Sequence, residues 1–212
     1  MKKSLLIGLM GVGGMLLTAQ SQALLLAHWN FNNAGTLLTA SSTDSSVSSA
    51  SLTPSVTATT VTGSLINAVG ADPAGTALTF NPAPNNSTLT WQINSTTSTF
   101  SNLVVTFAQQ RSGTGPQTNT VEASVDGTNW FGAVATTVPT SFALATANFS
   151  SVPQVNGFST FYVRATLTAG TGGTFRVDNF QINGDVAPVP EPTSLAAIGI
   201  GAVALIRRKK AR

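Results

Sequence analysis

Apolar and polar residues alternate along several short stretches of the chain, which is the period of a β-strand with one buried face. Four stretches show this best, and each places its apolar side chains on one face: Leu89, Trp91 and Ile93; Leu103, Val105 and Phe107; Val121, Ala123 and Val125; Phe161, Val163, Ala165 and Leu167. Segments 24–31, 77–80, 144–149 and 174–182 resemble strands in length and composition. Because no comparable helical stripe occurs, the pattern predicts about eight short strands.

These strands are separated by segments rich in Gly, Pro, Asn and Ser, at the spacing typical of an all-β fold. We therefore predict an antiparallel β-sandwich of the jelly-roll type. Residues 126–129, with the sequence Asp-Gly-Thr-Asn, follow an alternating strand and precede Trp130 and Phe131. This pattern favours a tight hairpin turn in which Gly127 adopts a positive φ.

The last predicted strand contains a change of face. Phe175 and Val177 have one parity, whereas Phe180 and Ile182 have the other. Since successive side chains of a strand point to opposite faces, the chain must slip by one residue between these pairs. We therefore predict a β-bulge near Asp178–Asn179.

The N-terminal segment has the three-part pattern of a secretory signal peptide. Lys2 and Lys3 precede an uncharged apolar run over residues 5–17, which is too short for the ~20 residues of a typical membrane span. Small residues at Ser21 and Ala23 occupy the positions that signal peptidase reads. The pattern predicts an N-terminal signal helix over residues 1–23, removed after Ala23, and a mature chain that begins at Leu24.

The C-terminal segment reverses that order. Pro190, Glu191 and Pro192 precede an apolar stretch over residues 195–206, and a basic cluster follows: Arg207, Arg208, Lys209 and Lys210. Twelve helical residues span about 18 Å, against about 30 Å for the hydrocarbon core of a bilayer. The positive-inside rule places the basic cluster in the cytoplasm as a membrane stop signal. We predict a short transmembrane helix and divide the chain into residues 1–23, 24–187 and 188–212.

The charges of the central region differ from those of the whole chain. Seven of the ten basic residues lie in the terminal segments, which leaves three arginines against six acidic residues between them. The body is thus net acidic, and this charge gives little support to nucleic-acid binding. It has no cysteine for disulfides or thiolate chemistry. Residues 36–64 are rich in Ser and Thr, and they suit a loop or frayed strands, exposed Thr-rich strands, or a glycan acceptor region.

The order of the C-terminal elements resembles a PEP-CTERM sorting signal, through residues 189–194, the apolar stretch and the basic cluster. The resemblance implies recognition by an exosortase, a membrane protease-transpeptidase that cleaves near Pro190-Glu191-Pro192. Such proteins are associated with Gram-negative bacteria that produce exopolysaccharide and form biofilms. We expect an inner-membrane-anchored precursor, processed by signal peptidase and exosortase, that reaches the cell envelope, outer surface or extracellular matrix.

The body resembles galactose-binding-like and carbohydrate-binding jelly rolls in two stretches, residues 124–130 and 175–182. On this resemblance, Trp130 is a candidate glycan platform and Asp178 a candidate calcium ligand. A carboxylate that binds backbone amides at the bulge is the alternative for Asp178. We expect His28 to be structural and Trp91 to lie in the core, since it shares a face with apolar neighbours.

No set of residues predicts catalysis or a bound cofactor, because a glycosidase needs two converging carboxyl groups and none is marked by a motif. We therefore expect a non-enzymatic surface or matrix protein with a structural or adhesive role. A dedicated carbohydrate-binding module is the alternative, and a glycan hydrolase is a more distant one. Exopolysaccharide is the candidate partner besides the two peptidases.

Overall fold

The structure is a computed structural model that describes residues 23–188. Short 3₁₀ turns lie at Ala34–Thr36 and Pro153–Val155. The strands of this part of the chain are β1 (Leu24–Trp29), β2 (Ser42–Thr43), β3 (Ser49–Pro54), β4 (Thr59–Thr62), β5 (Thr76–Phe80), β6 (Thr88–Asn94), β7 (Ser98–Arg111), β8 (Thr118–Ser124), β9 (Phe131–Thr137), β10 (Ala143–Asn148), β11 (Thr160–Thr168) and β12 (Phe175–Pro188).

The strands form two antiparallel sheets. One sheet has five strands in the order β3-β6-β11-β8-β9. The other has seven, in the order β10-β7-β12-β1-β2, with β5 also paired to β12 and β4 to β5. The predicted antiparallel β-sandwich is thereby confirmed, whereas the predicted signal helix and transmembrane helix lie outside the described residues.

Alternating side chains from both sheets form one continuous hydrophobic core. At its centre the ring of Phe180 stacks on that of Trp91 at 3.7 Å between centroids. Phe107 and Trp29 flank Phe180 at 5.6 and 5.8 Å. The core position expected for Trp91 is confirmed, since its side chain is fully buried. Apolar burial of this kind is the main favourable contribution to folding.

Strand β12 changes register near its middle, as its sequence predicts. Its pairing with β7 shifts between Asp178 and Gln181, where Asn179 adopts a left-handed backbone conformation with φ of 48°. The β-bulge is therefore confirmed. It returns Phe180 to the core after Val177, so that both apolar pairs of the strand are buried.

The Ser/Thr-rich segment 36–64 contains three short strands at sheet edges. β3 pairs with β6 along its whole length, and β4 pairs with β5. Leu52 is the buried side chain of β3, whereas most neighbouring Ser and Thr side chains face solvent. Val47 and Leu52 of this segment belong to the core, several other apolar side chains pack against it, and backbone pairing with β5 and β6 adds to its position.

Both ends of the described chain emerge at the same end of the sandwich. Leu24, the first residue of β1, pairs with Gly184 of β12. β12 then continues for four residues and ends with Pro188 opposite Ser98 of β7. The first residue of β1 and the last residues of β12 therefore lie at the same end of the seven-stranded sheet.

Candidate functional site

The outer face of the five-stranded sheet carries polar side chains in rows across the strands. One row consists of Ser51, Gln92, Tyr162 and Ser124, and the next of Thr53, Thr90, Arg164 and Glu122. The intervening residues of each strand point into the core, because side chains alternate along a strand. Ser124 is buried and bonded to the neighbouring turn, whereas the other seven side chains are partly or fully exposed, so this face presents hydroxyl, amide and charged groups over several strands.

Trp130 lies at this face and contacts its charged pair. The guanidinium carbon of Arg164 lies 4.1 Å from the centroid of the Trp130 ring, a cation–π contact. Arg164 Nη2 also donates to Glu122 Oε2 at 2.8 Å, from the directly opposite position on β8. About a quarter to a third of each of the two charged side chains is exposed (22% for Glu122 and 31% for Arg164). The three side chains thus form a pre-ordered, partly accessible cluster of zero net charge.

The turn before Trp130 fixes the position of its backbone. The carboxylate of Asp126 accepts hydrogen bonds from the backbone N–H groups of Thr128 and Asn129 at 2.9 and 2.8 Å. These bonds, that of Asn129 first, hold the pKa of Asp126 well below its usual range, so the turn carries a charged acceptor at neutral pH. Gly127 has a φ of 72°, and β8 and β9 pair on either side of the turn. The predicted hairpin and the positive φ of Gly127 are confirmed.

Tyr162 extends the cluster toward the turn. A side chain at Gly127 would place its Cβ 3.6 Å from the Tyr162 ring, so the ring lies against the turn. Tyr162 is half-buried and occupies the position next to Arg164 on the same face of β11. Trp130 and Tyr162 therefore place two partly exposed aromatic rings beside polar groups. By contrast, Trp29 and Trp91 are fully buried.

A second group of polar residues lies on the outer face of the seven-stranded sheet, beneath residues 63–72. The buried carboxylate of Asp178 accepts hydrogen bonds from the backbone N–H groups of Ser64 (2.7 Å) and Asn179 (2.9 Å). Burial raises the pKa of Asp178 to about 7, although these two bonds lower it. The Asn179 side-chain amide donates to the carbonyl groups of Ser64 and Ile66. The bulge thus anchors this loop.

His28 lies under the same loop. Its Nδ1 is 3.6 Å from Asp72 Oδ2, and its Nε2 is buried without a hydrogen-bond partner among the described residues. Burial lowers the pKa of His28, which favours the neutral ring. No group of three or more His, Cys, Asp or Glu side chains within residues 23–188 is arranged to hold a metal ion. A calcium ligand role for Asp178 stays a prediction.

The residues that the sequence predicts to be processing signals lie at or beyond the ends of the described residues, 23–188. Ala23 is exposed, just before β1. Ser21 and the elements of the tail, which are Pro190, Glu191, Pro192, Arg207, Arg208, Lys209 and Lys210, fall outside the described residues. Within residues 23–188 no helix is long and apolar enough to span a bilayer.

The C-terminal resemblance is confirmed by a family model, the PEP-CTERM protein-sorting motif, which matches residues 188–210. Comparison with curated proteins gave no match. Among solved structures, the CBM22-1 xylan-binding domain of Xyn10C from Paenibacillus barcinonensis has a TM-score of 0.48 at 10% identity, over 78% of this chain and 97% of that one.

Two further structures resemble the body. TmCBM61 in complex with beta-1,4-galactotriose has a TM-score of 0.42 at 9% identity, over 65% of this chain and 90% of that one. The xylan-binding module CBM15 has a TM-score of 0.39 at 13% identity, over 60% of this chain and 96% of that one. Such distant likenesses assign no ligand to this chain. The protein thus carries a C-terminal PEP-CTERM sorting motif, and the structural neighbours of its β-sandwich are mainly carbohydrate-binding modules.

Proposed function

We propose that this protein is exported, processed by an exosortase, and acts at the cell surface or in the extracellular matrix as a non-catalytic adhesive protein. The observation that carries the sorting part is the PEP-CTERM motif at residues 188–210, a motif that implies export and a membrane-anchored precursor. Signal peptidase would release the N-terminus after Ala23, and exosortase would act near Glu191. We infer that the surrounding matrix is the exopolysaccharide of a biofilm.

The adhesive surface in this proposal is the outer face of the five-stranded sheet. Sugar rings have an apolar face and a rim of hydroxyl groups, so a binding surface needs aromatic rings beside polar side chains. Trp130 and Tyr162 provide the rings, and Gln92, Arg164 and Glu122 provide donors and acceptors. Because Arg164 is held by Trp130 and Glu122, little side-chain ordering is required on binding.

The charges favour a neutral polysaccharide. Arg164 is paired with Glu122 at 2.8 Å, so the cluster offers no unpaired cation to a uronate or sulfate. The body as a whole has three arginines against six acidic residues, and it would repel a polyanion. A dedicated carbohydrate-binding module with this surface is the alternative. The two candidates differ in whether the ligand is the matrix of the producing cell or an external glycan.

An affinity measurement tests the proposal. The mature secreted protein should bind neutral polysaccharide from the producing strain, and W130A should weaken binding by at least about tenfold, as for an aromatic residue at the centre of an interface. L144A is the matched control, because Leu144 is 56% exposed on the seven-stranded sheet. Equal loss in both variants, or no binding by the parent, would refute the glycan-binding surface. Turnover of the glycan would instead support the hydrolase alternative.

A further inference from the structure

The last four residues of β12 have an open backbone edge. On one side, Asp185, Val186, Ala187 and Pro188 pair with Ser101, Phe100, Thr99 and Ser98 of β7. On the other side, β1 begins at Leu24, which pairs with Gly184. Within residues 23–188, no strand pairs with Asp185–Pro188 on that side. The edge is therefore about 13 Å long, at ~3.3 Å per residue.

The usual protection of a strand edge is weak here. Proteins commonly protect an open edge with charged side chains, proline or a covering segment, and in this segment proline stands only at the last residue, Pro188. The one charged side chain of this segment, Asp185, is instead held at 2.7 Å by the Asn102 side chain from β7, the strand on the opposite side. Val186 is half-buried and Ala187 is exposed, so the segment is accessible to an added strand.

The position of the edge relative to the sorting motif suggests its partner. The family match begins at residue 188, the last paired residue of β12. Glu191 is three residues further on and therefore within about 11 Å of Pro188 at the maximum extension of the chain. An enzyme that acts at this motif must approach the end of the sandwich that carries the open edge. Extended segments bind readily to such edges through backbone hydrogen bonds.

We propose that the open edge of Asp185–Pro188 is a docking site for the exosortase, which adds an extended segment of its own beside β12 while it binds the adjoining motif. The folded body is then part of the recognised substrate, and removal of the signal peptide leaves the edge uncovered. This inference rests on the proposed function, since it requires exosortase processing. It goes beyond that function by assigning a recognition surface on the sandwich.

The test blocks the open edge by lengthening β1 and leaves the sequence of β12 unchanged. Four residues, Thr-Val-Thr-Val, are inserted between Ala23 and Leu24 of the full-length chain, so that they extend β1 opposite Asp185–Pro188 after signal-peptide removal. The control insertion is Gly-Pro-Gly-Pro, because proline lacks the backbone N–H needed for strand pairing. Both are expressed with the parent in a host that contains the exosortase, and mass spectrometry follows the C-terminus over time.

We expect the Thr-Val insertion to slow C-terminal processing about tenfold or more. The inserted residues must first release one or two backbone hydrogen bonds to β12 before the exosortase can dock, and this loss corresponds to about that factor. The Gly-Pro insertion should be processed at the parent rate. Equal rates for all three chains, or equal slowing by both insertions, would overturn the docking site. An intact tail ending at Arg212 in the parent would refute the proposed sorting itself. N-terminal sequencing and melting temperatures verify cleavage after Ala23 and folding.

Discussion

Asp178 allows a quantitative prediction about the pH dependence of stability. Its carboxyl is buried, and burial raises its pKa from the usual 3.8 to about 7. Between these values the folded protein keeps the proton, whereas the unfolded chain loses it. Stability from this group is therefore fully present below pH 3.8 and is lost as pH rises toward 7. The loss is about 1.4 kcal/mol per pH unit well below pH 7 and levels off near pH 7, which gives roughly 2 kcal/mol between pH 5 and pH 7.

The variant D178N isolates this contribution, because asparagine has nearly the same shape and does not titrate. Its side-chain oxygen can replace only one of the two acceptors that bind Ser64 and Asn179, so we expect a loss of about 1–3 kcal/mol at pH 5. As pH rises to 7, the parent should lose stability relative to D178N and approach or fall below it. Urea unfolding at half-unit pH intervals measures the difference.

The comparison between the two proteins also removes the opposite effect of His28. Burial lowers the pKa of His28 from 6.5, so its contribution to stability is lost as pH falls below 6.5 in both proteins. A stability difference that stays constant from pH 5 to pH 8, or that shifts in favour of the parent, would refute the reasoning. Calcium adds a second arm: stabilisation of the parent, absent in D178N and reversed by a chelator, would support the calcium-ligand prediction.

Three other predictions concern the core and the sorting motif. F180A should destabilise the body by about 3–5 kcal/mol in urea unfolding, because Phe180 is fully buried against Trp91 and Phe107; a cost comparable to that of F158A, at a 45% exposed ring, would contradict this. E191A should leave folding and membrane insertion intact but block maturation, so the unprocessed chain accumulates in the membrane fraction; normal maturation would exclude a role for the carboxylate. Deletion of residues 207–212 should preserve export but cause mis-sorting, since the positive-inside signal is lost; fractionation like that of the parent would refute it.

The strands with a strict alternation could be predicted because side-chain direction is a local property of an extended backbone. Trp91 and Val163 lie in the core as their parity requires, and the parity change in β12 located the bulge at Asp178–Asn179. The bounds of β2, β3, β4 and β9 were not predicted: for residues 36–64 strands were one of several alternatives, and β9 was implied only by the predicted hairpin. These are short or largely exposed edge strands, so their apolar pattern is weak and their pairing partner determines them.

The sequence by itself determined the sorting motif and the strand faces, since both depend on residue order and local periodicity. Only the tertiary structure decided which polar residues meet. The contact of Trp130 with Arg164 depends on the pairing of β8 with β11 and on the turn at Gly127. The burial of Asp178 requires a loop more than 100 residues away in sequence, as its bond to Ser64 shows. Such contacts follow from sheet order, which no local pattern encodes.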